Sequence, residues 1–383
     1  MGLNFLEEKF SIMGLVKPEV TKFAKIKVLG LGGSGCNAIN SMIQNQAIQG
    51  VDFISINTDA QHLLTSQAPI KLQIGEQLTK GLGVGGDPEL GRKAAEESRD
   101  KLAETVNGAD MVFITYGAVG GTGTGTAQIL AEIAKKTGVL AVAVVTKPFH
   151  FEGTRRMLVA EEGIANLRDK VDTLIVIPNQ RLLEVIDKKM TLIEAFRVTD
   201  SVLGQGVQGI SDLIVVPGLI NADFADVRAI MSNAGSALMG IGTGSGENRA
   251  VLAAKTAVSS PLLEVSIDGA KGILFNITGG QDMTMAEVDE AAKIITQAAD
   301  PDANIIFGAT IDDSLVDLIR ITVIATGFDE TRQRMRELAA TPQPTVFAQE
   351  EIAQDQQVLV TEEEKPEDEE DVIEVPTFMR QNR

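Results

Sequence analysis

The chain has 383 residues, enough for two ordinary domains with sizeable cores. Hydrophobic residues make up 44% but aromatics only 4%, with no Trp and one Tyr, so small and aliphatic side chains must fill the interior, as in buried parallel strands covered by helices. A formal net charge of −19 argues against nucleic acid and anionic membrane as partners, and the single cysteine, Cys36, excludes an intramolecular disulfide and suits a reducing cytoplasm.

Residues 1–25 read as an N-terminal extension whose short apolar runs are broken by charges, so a signal-peptide core is not expected. The longest apolar stretch, VLAVAVVT at 139–146, is far below membrane-spanning length, and the chain reads as soluble, cytoplasmic and without direct membrane insertion. From 26 onward, IKVLGL (26–31), DFISIN (52–57), MVFITY (111–116), VLAVAVVT (139–146) and TLIVIPN (173–179) predict strands. Helices are predicted between them at 88–107, opened by Asp87-Pro88, and at 124–136, stopped by Gly138. Such alternation predicts an α/β fold with a doubly wound parallel sheet over residues 26–199.

A helix at about 200–216, apolar at Val202, Leu203, Val207, Ile210, Leu213 and Ile214, predicts a buried spine, with 200–221 as the connecting segment. Residues 222–330 predict a smaller α+β domain with a mixed or antiparallel sheet. Its helices are expected from 224, at 247–259 and from 285, after the capping box Thr284-x-x-Glu287. Its strands are expected at 272–278, 303–310 and 321–328. Residues 331–370 are expected to be an acidic disordered linker, since 341–383 carry 12 Asp/Glu against 3 Lys/Arg. A short apolar peptide, DVIEVPTFMRQNR, follows at 371–383.

The chemistry sits in glycine-rich turns. GLGGSGCN (30–37) follows a strand and opens a helix, a place where bare backbone and a helix N-terminus welcome phosphate. Gly30, Gly32 and Gly35 also satisfy the dinucleotide fingerprint, with Asp59 near the ribose-binding position, so a nicotinamide-dependent oxidoreductase is a live reading of this motif alone. GAVGGTGTGT (117–126) is a second such turn, more than one pyrophosphate cradle requires, and GLGVGGDPELG (81–91) a third. A P-loop NTPase is excluded, because Gly is never followed by Lys.

VGGTGTG (119–125), with GLGGSGCNA, NTDAQ (57–61), FEGTRR (151–156), IPN (177–179), NADFADVRAIM (221–231) and NITGG (276–280), resembles the bacterial FtsZ members of the tubulin/FtsZ family of cell-division GTPases over about residues 25–330. The resemblance implies GTP/GDP, with Mg²⁺ on its phosphates, held by Gly33, Ser34, Gly35, Cys36 and Asn37 and by Gly121, Thr122 and Gly123. It further assigns Glu152 and Arg156 to ribose and phosphates, and Asn179, Phe196 and Asp200 to guanine. No dedicated protein metal site is implied.

Asp223 and Asp226, at i and i+3, have a purely structural reading as an N-cap and a favourable first-turn acid. The resemblance instead implies that Asn221, Asp223 and Asp226 act on the nucleotide of the next subunit in a head-to-tail homopolymer at a mid-cell division ring. Residues 371–383 resemble the peptide by which the family meets membrane-tethering division proteins. Val119 stands where the family has glycine. A positive φ there would strain a β-branched residue by ~1–3 kcal/mol and point to a poorly hydrolysing regulatory polymer, whereas an ordinary φ is harmless.

Overall fold

The computed structural model describes residues 24–45, 48–185, 190–263 and 266–328. The linker and C-terminal peptide lie outside them, as does the N-terminal extension up to residue 23.

β1 (Ile26–Leu31), β2 (Val51–Asn57), β3 (Ile70–Gln73), β4 (Met111–Gly117), β5 (Leu140–Lys147) and β6 (Thr173–Pro178) pair in parallel in the order β3-β2-β1-β4-β5-β6. β4 and β5 are apolar and buried along almost their whole length, as a sheet covered on both faces demands. The helices of this half are α1 (Gly32–Gln44), α2 (Ala60–Leu64), α3 (Glu76–Thr79), α4 (Pro88–Glu97), α5 (Arg99–Val106), α6 (Gly121–Thr137), α7 (Thr154–Arg168) and α8 (Asn179–Val185). The predicted helix 88–107 is two helices that meet at Ser98, whose φ of −106° and ψ of 21° leave the helical well. Its hydroxyl accepts the Gly75 N–H at 3.0 Å, tying the break to the preceding turn.

α9 (Leu192–Val215) begins eight residues before the predicted start. Thr191 caps it, accepting the Glu194 N–H, while the Glu194 carboxylate accepts the Thr191 N–H at 2.7 Å. Val202, Leu203, Val207, Ile210 and Leu213 enter the largest core cluster, so the spine reading holds. After it come α10 (Phe224–Met231), β7 (Gly235–Ser245), α11 (Arg249–Val258), β8 (Gly272–Gly279), α12 (Met285–Gln297), β9 (Asn304–Ile311) and β10 (Leu318–Thr326).

Pairing of β7, β10 and β8 is antiparallel and that of β8 with β9 parallel, the mixed sheet expected. β7 also pairs in parallel with β6, so the ten strands among the described residues form one sheet. β7 escaped the sequence reading because its pattern GSALMGIGTGS is poor in strand formers. The reason is a close approach: a Cβ on Gly240, Gly242 or Gly244 would stand 2.0 Å from a carbonyl oxygen of α11.

Candidate active site

At the switch point between β1 and β4, where the strand order reverses, a cleft of about 890 Å³ opens beyond the C-terminal strand ends. Leu31, Asn57 and Gly117, the last residues of β1, β2 and β4, form its floor. The two glycine-rich turns are not long loops. They are the first turns of α1 and α6, which converge so closely that a Cβ on Gly32 would lie 3.1 Å from the Gly123 nitrogen. Ser34 Oγ accepts the Gly117 N–H at 2.8 Å and the Thr58 and Thr122 hydroxyls lie 2.9 Å apart, locking the pair.

Neither helix has a side-chain cap or an acid in its first turn. Two sets of free backbone N–H donors and two positive dipole ends therefore face one space, a phosphate site by its physics alone. The third turn completes the wall with Gly83–Pro88. Some glycines serve packing as well: a Cβ on Gly125 would meet Arg92 N and Pro88 O at 2.3 Å, so α4 and α6 touch backbone to backbone.

Of the sequence-predicted residues, Gly33, Ser34, Gly121, Thr122, Gly123 and Arg156 line this cleft. Gly35 and Cys36 are buried behind it and Asn37 is exposed on α1. Glu152 lies just outside the lining, its carboxylate accepting the Phe149 N–H and the Arg156 guanidinium, both at 2.9 Å. The guanine-end residues come from the end of β6 and from α9. Asn179 comes directly after β6, and its buried Oδ1 has no hydrogen-bond partner, so it is free to meet a ligand donor. Phe196 is partly exposed and sits edge-on to Phe149 at 5.6 Å, ready to offer a ring face.

Asp200 lines a second cleft, of about 650 Å³, together with Ser41 of α1 and Asn45 just after it. Burial pushes its carboxyl up to about 7, and N–H donors from a base would favour the ionised form. Sequence reasoning passed over Asn57, Asp87, Arg155 and His62 in the phosphate cleft. Asp59, weighed as a ribose acid, is the N-cap of α2, accepting the Gln61 and His62 N–H groups at 2.9 and 3.1 Å.

Two expectations change. Val119 has no left-handed φ; among the described residues only Lys80, Asn233 and Asp317 do so without being glycine. The backbone-strain argument at Val119 therefore falls away. Its place at a helix N-terminus would favour a lowered thiol pKa at Cys36, yet its side chain is fully buried and desolvation pushes the thiol up to about 11. Alkylation of the native protein is therefore expected to be negligible at neutral pH with or without nucleotide, and fast only after denaturation. Nucleotide-sensitive labelling of the folded chain, read by mass spectrometry, would contradict this.

Asn221, Asp223 and Asp226 lie elsewhere. Asp223 is the N-cap of α10, its Oδ1 accepting the Ala225 N–H at 3.3 Å, so the structural role anticipated for it is real. Asn221 Oδ1 accepts the Gly218 N–H at 2.7 Å. Both carboxylates are exposed, and among the described residues neither is ion-paired. The 24 residues of α9 span about 36 Å at helical rise. At its far end a Cβ on Gly50, just before β2, would collide with Val215. Arg228 donates to Gly138 O, before β5, and Thr173 at the start of β6 donates to Met231 O. α10 thus sits at the N-terminal strand ends, opposite the cleft.

Residues 25–187 match the tubulin/FtsZ family GTPase domain and residues 235–329 the FtsZ family C-terminal domain. The structure is similar to an empty FtsZ dimer from M. jannaschii, at 48% identity over 79% of this chain and 88% of that one, with a TM-score of 0.76. The chain belongs to the FtsZ family. A point mutant of M. jannaschii FtsZ gives 47% identity over 81% and 92% of the two chains, TM-score 0.78. CetZ1 of Haloferax volcanii, a GDP-bound monomer, shares the fold at 20% identity over 82% and 97% of the chains, TM-score 0.66. The FtsZ chains named are archaeal, so the kinship shown is to FtsZ in general and not to its bacterial branch. The protein is a GTPase of this family.

Proposed function

We propose that the protein forms head-to-tail filaments and hydrolyses GTP only where one subunit's α10 meets the cleft of the next. The observation that carries this is the separation of the two halves of the chemistry. The phosphate-binding turns lie at the C-terminal strand ends, and Asn221, Asp223 and Asp226 at the N-terminal ends. No motion within one compact subunit joins them, whereas stacking of identical subunits does. The neighbour's carboxylates would orient and polarise the attacking water, Asn221 would steady it, and Arg156 would offset charge on the transferred phosphoryl group.

Among the described residues no group of three or more His, Cys, Asp or Glu could hold a metal ion. Magnesium would ride on the nucleotide phosphates, as it does in most nucleotide sites, and supply charge neutralisation there. Phosphate release per subunit should rise with protein concentration and vanish below a threshold. A rate per subunit that stays constant on dilution would rule out a shared site. The alternative of a poorly hydrolysing regulatory polymer rested on strain at Val119, which the backbone does not show. The same phosphate-release measurement separates the two.

We further place the filament in the cytoplasm at a division ring, tethered by residues 371–383. That segment sets Val372, Ile373, Val375, Phe378 and Met379 among acids, with Arg380 and Arg383 at the end. These apolar anchors fit a groove on a membrane-tethering partner. Deleting 371–383 should leave assembly and turnover intact and remove binding to that partner in co-sedimentation. Loss of assembly would contradict the assignment.

A further inference from the structure

His62 stands on α2 at the rim of the phosphate cleft, half-buried and facing the bare first turn of α1. A Cβ on Gly33 would lie 4.0 Å from both its Cε1 and its Nε2. Asn57, almost fully buried at the end of β2, places its Nδ2 3.4 Å from His62 Nδ1. Asn57 donating to Nδ1 puts the proton of the neutral ring on Nε2, the atom that faces α1. The His62 backbone N–H is separately held by Asp59. Ring position and tautomer are thus both set before any ligand arrives.

We propose that His62 is a phosphate-contacting, pH-responsive residue of the nucleotide site, donating from Nε2 to the phosphate group drawn in by the uncapped N-terminus of α1. The proposal deepens the GTPase reading and rests on it. The charged groups around the ring are few. On its own element Asp59 is engaged as a cap, and across the cleft stand Asp87, capping α4, and Arg155 and Arg156 of α7. The facing turns of α1 and α6 bring no charge. A bound polyphosphate is therefore the dominant new charge at Nε2. By linkage, binding then favours the imidazolium, and protonation strengthens binding. The sign follows from a positive group gaining an anionic partner: the extra affinity is present at low pH and is lost as pH rises through the imidazole range.

The test uses the full chain below its assembly threshold, with GDP and guanosine titrated calorimetrically between about pH 5.5 and pH 8, the range in which histidine changes charge. His62→Gln keeps an N–H donor at the Nε2 position without titrating, and His62→Ala removes it. Asp200 and the terminal phosphate of GDP also titrate in this window, but equally in wild type and His62→Gln, so the ratio of the two affinities is the readout. For GDP that ratio should grow by about tenfold on acidification, the worth of one charge-assisted hydrogen bond. For guanosine it should stay flat, and His62→Ala should bind GDP more weakly than His62→Gln at pH 8. Parallel GDP profiles for wild type and His62→Gln overturn the proposal while leaving the GTPase reading intact. Failure of the wild type to bind GDP at any pH would remove the nucleotide site and the proposal with it.

Discussion

Asp226→Ala is expected to lower assembly-dependent GTP turnover by about 10²–10⁴-fold, the usual loss when a positioned acid–base group is removed. Its own GTP affinity should be unchanged, because the substituted side chain is exposed at the end of the subunit opposite its own cleft. Folding should also be unaffected: among the described residues the Asp226 side chain accepts no hydrogen bond, unlike that of Asp223, whose replacement would cost a helix cap worth about 1 kcal/mol. Filaments of the variant should persist, since hydrolysis no longer weakens the contact. Mixed with wild type, the variant should depress phosphate release more than dilution predicts, because each variant subunit silences a partner's nucleotide. A mixture that behaves as simple dilution would show that each subunit hydrolyses its own GTP.

The second large effect is on stability. Arg249, at the start of α11, is buried, with its guanidinium on Glu287 Oε1 at 2.7 Å and on the Asp282 carboxylate. Glu287 also closes the capping box of α12 on Thr284, so one carboxylate fastens two helices. Arg249→Met should destabilise the protein by about 3 kcal/mol, the lower end for breaking a buried pair, because Asp282 stays half in water. Glu287→Gln in the same chain should recover part of that loss by removing the stranded charge.

The Arg249 hydrogen bonds, helped by the Thr284 cap and opposed by burial, hold the Glu287 carboxyl down to about 2. A depressed carboxylate stabilises the fold above its ordinary value, and that contribution disappears as pH falls from about 4.5 through about 2. Arg249→Met should flatten this limb of the stability profile in urea titrations. An unchanged acid limb would mean that the pair does not hold α11 to α12.

Much of the architecture was legible from local pattern. β1 falls on its predicted residues, and β2, β4, β5 and β6 agree within one or two, because buried parallel strands are unbroken β-branched runs. The capping box at Thr284 and the glycine stop at 138 are equally local signals. The mixed character of the second sheet followed from strands outnumbering crossovers.

What the sequence could not decide depended on what each residue meets across space. β7 looked like a loop because its glycines answer to the backbone of α11, a contact that no window of neighbouring residues contains. Cys36 shares a motif with phosphate-facing residues, yet helical periodicity turns its side chain into the core, where desolvation outweighs the dipole. His62 carried no signal at all, and only the meeting of β2, α1 and α2 places its ring on an anion site. Whether Val119 is strained turned on one dihedral angle, which the fold and not the residue type sets. The pairing of Asp223 and Asp226 on one helix face was visible in their spacing. Their distance from the cleft was not, for it is the length of α9 and the direction of the parallel strands that put the acid pair and the cleft at opposite ends of one subunit.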